Sequence, residues 1–287
     1  MTVLKKVKTA FSFGTTPFDP THRFETSWLV SPYVLFAIRA LLAFYTLFTS
    51  IFILGWECAH APDRCATSRA RFSYFTVLTY WGLAFYFLVS AFHTFTYART
   101  GTPLLSRFPR PLQALHSAFY TTVIVYPFLV TVVYWATLYS GAWFPTTFSG
   151  WSNVSQHMLN SAFAVFEIVV PRTEPPPLVH MVWLVVVLGG YLGLAYVTHA
   201  AQGWYPYSFL DPGRANVGAY VVGILVGSLV VFGIVWGVIF GRRWVTEKKM
   251  GRTGKFARGR EGAGEVVMME EARGKDGEVR AGEERRG

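Results

Sequence analysis

Six apolar runs of bilayer-spanning length restrict this chain more than any other feature. They cover residues 32–56, 72–97, 111–139, 151–170, 178–199 and 217–240. About 20 helical residues cross a hydrocarbon core, where each backbone N–H and C=O must be bonded within the segment. The expected fold class is therefore all-α: a polytopic membrane protein, a bundle of six transmembrane helices. Composition agrees, since only 15% of residues are charged and 52% are hydrophobic, whereas soluble domains carry about a quarter charged residues.

Local signals bound the runs. Pro32 and Pro111 open their helices at the first turn, where a missing N–H costs nothing. Pro171 and the triple Pro175–Pro177 close the fourth run and force a tight connection to the fifth. Trp28, Trp56, Tyr97, Tyr139, Trp143, Trp151 and Trp204 cluster near run ends, as an aromatic belt requires. The chain divides into a basic leader (1–30), the membrane domain (31–240) and a tail (241–287). The tail begins polybasic, which suits anionic lipid, and continues Gly-rich with mixed charge, which suits disorder. No cleavable signal peptide is read in residues 1–30, so the first span is expected to serve as the anchor.

The net charge of +10 does not point to nucleic acid, because the basic residues flank apolar spans. With both termini cytosolic, that side holds Lys5, Lys6, Lys8, Arg23, Arg99, Arg107, Arg110, Arg172 and the basic residues from Arg242 to Arg260. The opposite side holds only Arg64, Arg69, Arg71 and Arg214. The positive-inside rule therefore selects cytosolic termini. Cys58 and Cys65 both fall in the first loop, on the non-cytosolic side, where a disulfide can persist. Two unpaired thiols are the alternative. The partner expected first is the bilayer, in the endomembrane system (endoplasmic reticulum) or the plasma membrane. Asn153-Val154-Ser155 matches a glycosylation sequon but lies too close to the bilayer for modification.

The run 151–170 is the chemically unusual one. It carries Asn153, His157, Asn160 and Glu167 at helical spacing along one stripe. Polar groups in hydrocarbon need a partner or a function. Depth sorts them. Thr76 lies four residues inside the second run and His157 six inside the fourth, and both runs enter from the non-cytosolic side. At ~1.5 Å per residue they sit at roughly 6 and 9 Å depth, close enough to meet. A threonine hydroxyl needs a base, and a desolvated, neutral imidazole can take its proton. Asn160, one turn below His157, is a candidate to orient the ring or stabilise an oxyanion. The bland readings are a Thr bonded to its own helix and a His bridging two helices. Arg39 and Glu167 both lie toward the cytosolic side, and a salt bridge between spans one and four relieves both charges. No HxxxH, HExxH or GxSxG motif is present, so di-iron desaturase, metalloprotease and serine-elbow chemistry are not indicated. No metal or cofactor is called for.

The segments FSYFTVLTYWGLAFYFLVSAFHTFTY (72–97) and SNVSQHMLNSAFAVFEI (152–168) carry a resemblance. The first resembles the Y-(L/F)-T helix opening of the androgen-induced-gene family of membrane proteins, which includes the androgen-dependent TFPI-regulating protein. The second resembles that family's histidine-bearing helix. The chain is similar to fungal members over residues 30–245. The resemblance implies an intramembrane threonine hydrolase of fatty-acid esters of hydroxy fatty acids. Its nucleophile would be Thr76 and its histidine His157, with Thr79 a second candidate hydroxyl one turn deeper. Two other readings stand beside this one. One is a non-enzymatic membrane scaffold or lipid-binding protein. The other is a haem electron carrier using His157 and His199 in one layer and His93, His116 and His180 in another.

Overall fold

The computed structural model describes residues 18–63 and 65–257. The leader lysines Lys5, Lys6 and Lys8, Arg64, and the tail from residue 258 lie outside them. Every regular element among the described residues is helical. The helices are α1 (Pro32–His60), α2 (Ala66–Ala70), α3 (Phe75–Thr100), α4 (Arg110–Val133), α5 (Thr147–Val154), α6 (Asn160–Val169), α7 (His180–Gln202) and α8 (Val217–Arg243). Single π-helical turns extend α4 (Tyr134–Leu138) and α8 (Trp244–Lys249), and a third (Ser155–Leu159) joins α5 to α6.

Five of these rods are long and apolar enough to cross a membrane: Pro32–His60, Phe75–Thr100, Arg110–Leu138, His180–Gln202 and Val217–Lys249. That is compatible with an integral membrane protein. The expected fourth span is built differently. It runs through α5, the π turn and α6, none of which alone has spanning length. Large apolar side chains such as Leu41, Phe44, Ile51, Val132, Val182 and Ile234 are exposed around the outside, a surface suited to acyl chains rather than water.

α3 and α4 form the centre. Tyr80, Leu83, Tyr86 and Phe87 of α3 interdigitate with Tyr120, Val123, Ile124 and Leu129 of α4, and Ile168, Leu184, Phe232 and Val235 close the core from α6, α7 and α8. At one end Cys58 and Cys65 form a disulfide. Beside it Trp56 stacks on Phe148 and Phe52 packs against Phe148 and Trp151, tying α1 to α5, while His60 stacks on Trp56 of its own helix end.

At the other end the segments flanking the helical domain meet. Ser27 pairs with both Pro171 and Lys255. α8 runs on to Arg243, and residues 250–257 fold back against Ser27. Lys255 N–H donates to Ser27 O (2.8 Å), Phe256 lies under the Arg172 guanidinium (5.0 Å), and Ala257 is buried. Gly254 makes this possible. Its φ is +126°, and a Cβ there would sit 2.6 Å from Arg172 Cδ. Gly254→Ala is expected to cost about 1–3 kcal/mol of local strain and to release this segment, which limited proteolysis will read as faster cleavage near residue 255.

Glu25 is buried in the same region, and its Oε1 has no hydrogen-bond partner among the described residues. Burial, reinforced by the Asp19 carboxylate and opposed by Arg39, pushes its carboxyl well above the usual range. A group raised in this way stabilises the fold in its protonated form, and that stability is lost as pH rises through the folded value. Glu25→Gln is therefore expected to raise the melting temperature at pH 7. The gain should shrink toward pH 4 and can be followed by thermal denaturation in detergent across that range.

Candidate functional site

Three helix ends converge near the disulfide. Thr76 stands in the first turn of α3, just after its N-cap Tyr74. Main-chain N–H groups in a first turn have no intrahelical acceptor. That of Thr76 approaches the Tyr207 hydroxyl at 3.5 Å. His157 stands in the middle of the π turn between α5 and α6. The π turn ending α4 supplies Tyr134. Single π turns recur at functional positions because the wider turn re-aims side chains, and here two of them face one another.

His157 is held on two sides. Its Nδ1 lies 3.0 Å from the Asn153 main-chain carbonyl. A carbonyl only accepts, so Nδ1 carries the proton and Nε2 of the neutral ring keeps its lone pair. The Tyr134 ring stacks on the imidazole at 3.6 Å between centroids and 17°. The Tyr134 hydroxyl donates to Asn153 Oδ1 (2.9 Å), and Asn153 Nδ2 donates to Ser149 O (2.8 Å). The indole N–H of Trp135 donates to the His157 carbonyl (3.1 Å). This tautomer leaves Nε2 as the acceptor, which a general base requires.

Thr76, His157 and Asn153 line one cavity of 580 Å³, together with Arg71, Gln156 and Tyr207. A second cavity of 270 Å³ is almost wholly apolar and is lined by Phe75, Leu129, Val133, Leu188, Leu192 and Phe209. Thr76, Tyr134, Leu138 and Tyr207 border both. Thr76 thus stands where a chamber of mixed polarity, the more polar of the two, meets an apolar one. The larger chamber falls within the ~300–1,000 Å³ typical of small-ligand pockets. No hydrogen bond joins the Thr76 hydroxyl to the imidazole among the described residues. In ligand-free sites such contacts are commonly long and tighten with substrate.

Other sequence candidates lie elsewhere. The Thr79 hydroxyl donates to its own helix, to Phe75 O (2.9 Å) and Thr76 O (3.0 Å), and borders a different groove. Asn160 does not orient His157; its Oδ1 accepts from Thr131 Oγ1 (3.1 Å) and Ser161 N–H (2.7 Å), linking α6 to α4. Asn153 takes the orienting role through its backbone. Arg39 and Glu167 are both buried and form a two-point ion pair (2.8 and 2.7 Å), with Tyr86 donating to the same carboxylate (3.2 Å). Of the other histidines, His93 and His116 meet edge to face at 5.4 Å, His180 bonds Thr121 (2.7 Å), and His199 stacks on Tyr205 (3.9 Å). Among the described residues no group of three or more His, Cys, Asp or Glu is arranged to hold a metal ion.

Sequence reasoning missed Tyr134, Tyr207, Arg71 and Gln156. Arg71 entered the sequence reading only as a basic residue of the non-cytosolic side, and the other three entered it in no role. No family model matches this chain, and no curated protein or solved structure matches it either.

Proposed function

We propose that this chain is a membrane-embedded ester hydrolase in which Thr76 is the nucleophile and His157 the general base. The observation that carries this reading is the shared position of the two residues on the more polar chamber, which opens, at Thr76, onto an apolar one. Substrate would be a long-chain acyl ester; the sequence resemblance points to the hydroxy-fatty-acid type. The Thr76 oxygen attacks the ester carbonyl while Nε2 of His157 takes its proton. The alcohol leaves with that proton, and the acyl group remains on Thr76. Water, deprotonated by the same nitrogen, then releases the carboxylic acid and regenerates the hydroxyl. Main-chain donors in the first turn of α3 are the available groups for the developing oxyanion.

Topology belongs to the same proposal. Ser27 and Lys255 lie together at one end, so an even number of crossings is needed between them. The rod from α5 to α6 makes the sixth, and the basic bias puts both termini in the cytosol.

The apolar chamber also suits a non-enzymatic lipid-binding protein. The two readings separate on purified protein: long-chain 4-nitrophenyl ester is hydrolysed by wild type and not by Thr76→Ala or His157→Ala. Equal rates in all three would sink the enzyme reading and leave the binding one.

A further inference from the structure

Among the described residues one formally charged side chain lines the more polar chamber, Arg71, and its ion-pair partner Glu57 stands outside the wall. Arg71 is held from behind. Its Nη1 donates to Glu57 Oε1 (2.6 Å) and its Nη2 to Gln156 Oε1 (2.8 Å). Glu57 belongs to the last turns of α1, next to Cys58, whose disulfide to Cys65 fixes the short connection leading to Arg71. Gln156 is the neighbour of His157 on the π turn. The guanidinium is thus tied to the end of α1 and to the π turn that carries His157.

A guanidinium has five N–H donors in a planar fork. Two are used by Glu57 and Gln156, and those two acceptors set its orientation. A solvated surface salt bridge would leave Arg71 mobile and in water. Here the side chain is three-quarters buried and borders the cavity that holds Thr76 and His157. The remaining donors match the two oxygens of a carboxylate. On the far side of Thr76 lies the apolar chamber, so a ligand that fills both is an amphiphile with an acyl chain at one end and an anionic head at the other.

We infer that Arg71 is the specificity residue that binds the free carboxylate of an acyl ester whose chain occupies the apolar chamber. The inference deepens the hydrolase reading and rests on it only for where the ester bond lies. Arg71 touches the head of the substrate and not the scissile bond, so its loss should weaken binding of acids and leave neutral esters alone.

The test separates the two ideas. Full-length protein in lipid nanodiscs is titrated with cis-parinaric acid and with its methyl ester, which differ only in the carboxylate. Wild type should bind the acid at least about tenfold more tightly, the order expected when a charge-assisted, two-point hydrogen bond is gained. Arg71→Gln should abolish that preference by weakening the acid alone, and Arg71→Lys should retain part of it. Thr76→Ala should keep the preference in full, because binding needs no nucleophile. Equal binding of acid and ester by wild type overturns the inference, and it does so even if Arg71→Gln fails to fold. A parallel loss for both ligands in Arg71→Gln also overturns it, since that marks a collapsed chamber. A preserved acid preference with no esterase activity would fail the hydrolase reading and leave the carboxylate site standing.

Discussion

Glu167→Gln is expected to lower stability by about 3–5 kcal/mol, the usual cost of stranding one partner of a buried ion pair. The pair joins α1 to α6, and both side chains are fully enclosed. Arg39 has further duties. Its Nη1 donates to the Phe24 carbonyl and to Thr94 Oγ1, each at 2.7 Å. It therefore ties the segment before α1, α1 itself, α3 and α6 together at one depth. Removing the carboxylate leaves a guanidinium with no counter-charge in contact, whereas removing Arg39 strands the carboxylate and takes a donor from the Phe24 carbonyl and Thr94 Oγ1 as well. Arg39→Met should accordingly be at least as damaging. Arg39→Met combined with Glu167→Leu should be less harmful than the two singles added, because no unpaired charge remains. The measurement is the melting temperature and monodisperse yield of the detergent-purified protein. A single substitution without effect would show that the pair does not hold the bundle.

His157→Ala is expected to reduce ester hydrolysis by about 10²–10⁴-fold, the range attributed to a positioned general base. Thr76→Ala should be at least as severe, since it removes the nucleophile. Two controls give these losses meaning. Thr79→Ala should stay near wild type, because that hydroxyl bonds its own helix and faces another groove. Asn160→Ala should lower stability more than turnover, because it breaks the tie between α4 and α6. Tyr134→Phe loses the hydroxyl that holds Asn153 but keeps the stacked ring, so a several-fold loss, smaller than that of His157→Ala, is expected.

Much of the scaffold was legible in the chain because hydrocarbon leaves few options. A run of apolar residues at that depth must be a helix, and prolines mark where several begin or end. The need of Arg39 and Glu167 for partners followed from their depth alone, and in the structure they bond each other. The polar stripe of residues 151–170 was legible as a face, but not its division. One extra residue in a turn rotates everything beyond it by about 100° relative to an unbroken helix. Asn153 and His157 therefore serve the chamber while Asn160 turns toward α4. No residue pattern announces a π turn, so Asn160 was assigned a role that Asn153 performs through its backbone. Tyr207 and Arg71 were illegible for another reason. They come from separate connections, before α3 and after α7, and only packing brings them to Thr76. The return of residues 250–257 was hidden by a composition that reads as solvated tail. It depends on one glycine fitting against one arginine.

The central claim is that Thr76 becomes covalently acylated within this site. The most direct measurement is to treat purified protein with a long-chain alkyl fluorophosphonate and to locate the adduct by mass spectrometry. One adduct is expected, on Thr76, absent from His157→Ala and reduced by competing long-chain ester. An adduct on Thr79, or labelling that persists undiminished in His157→Ala, would contradict the claim.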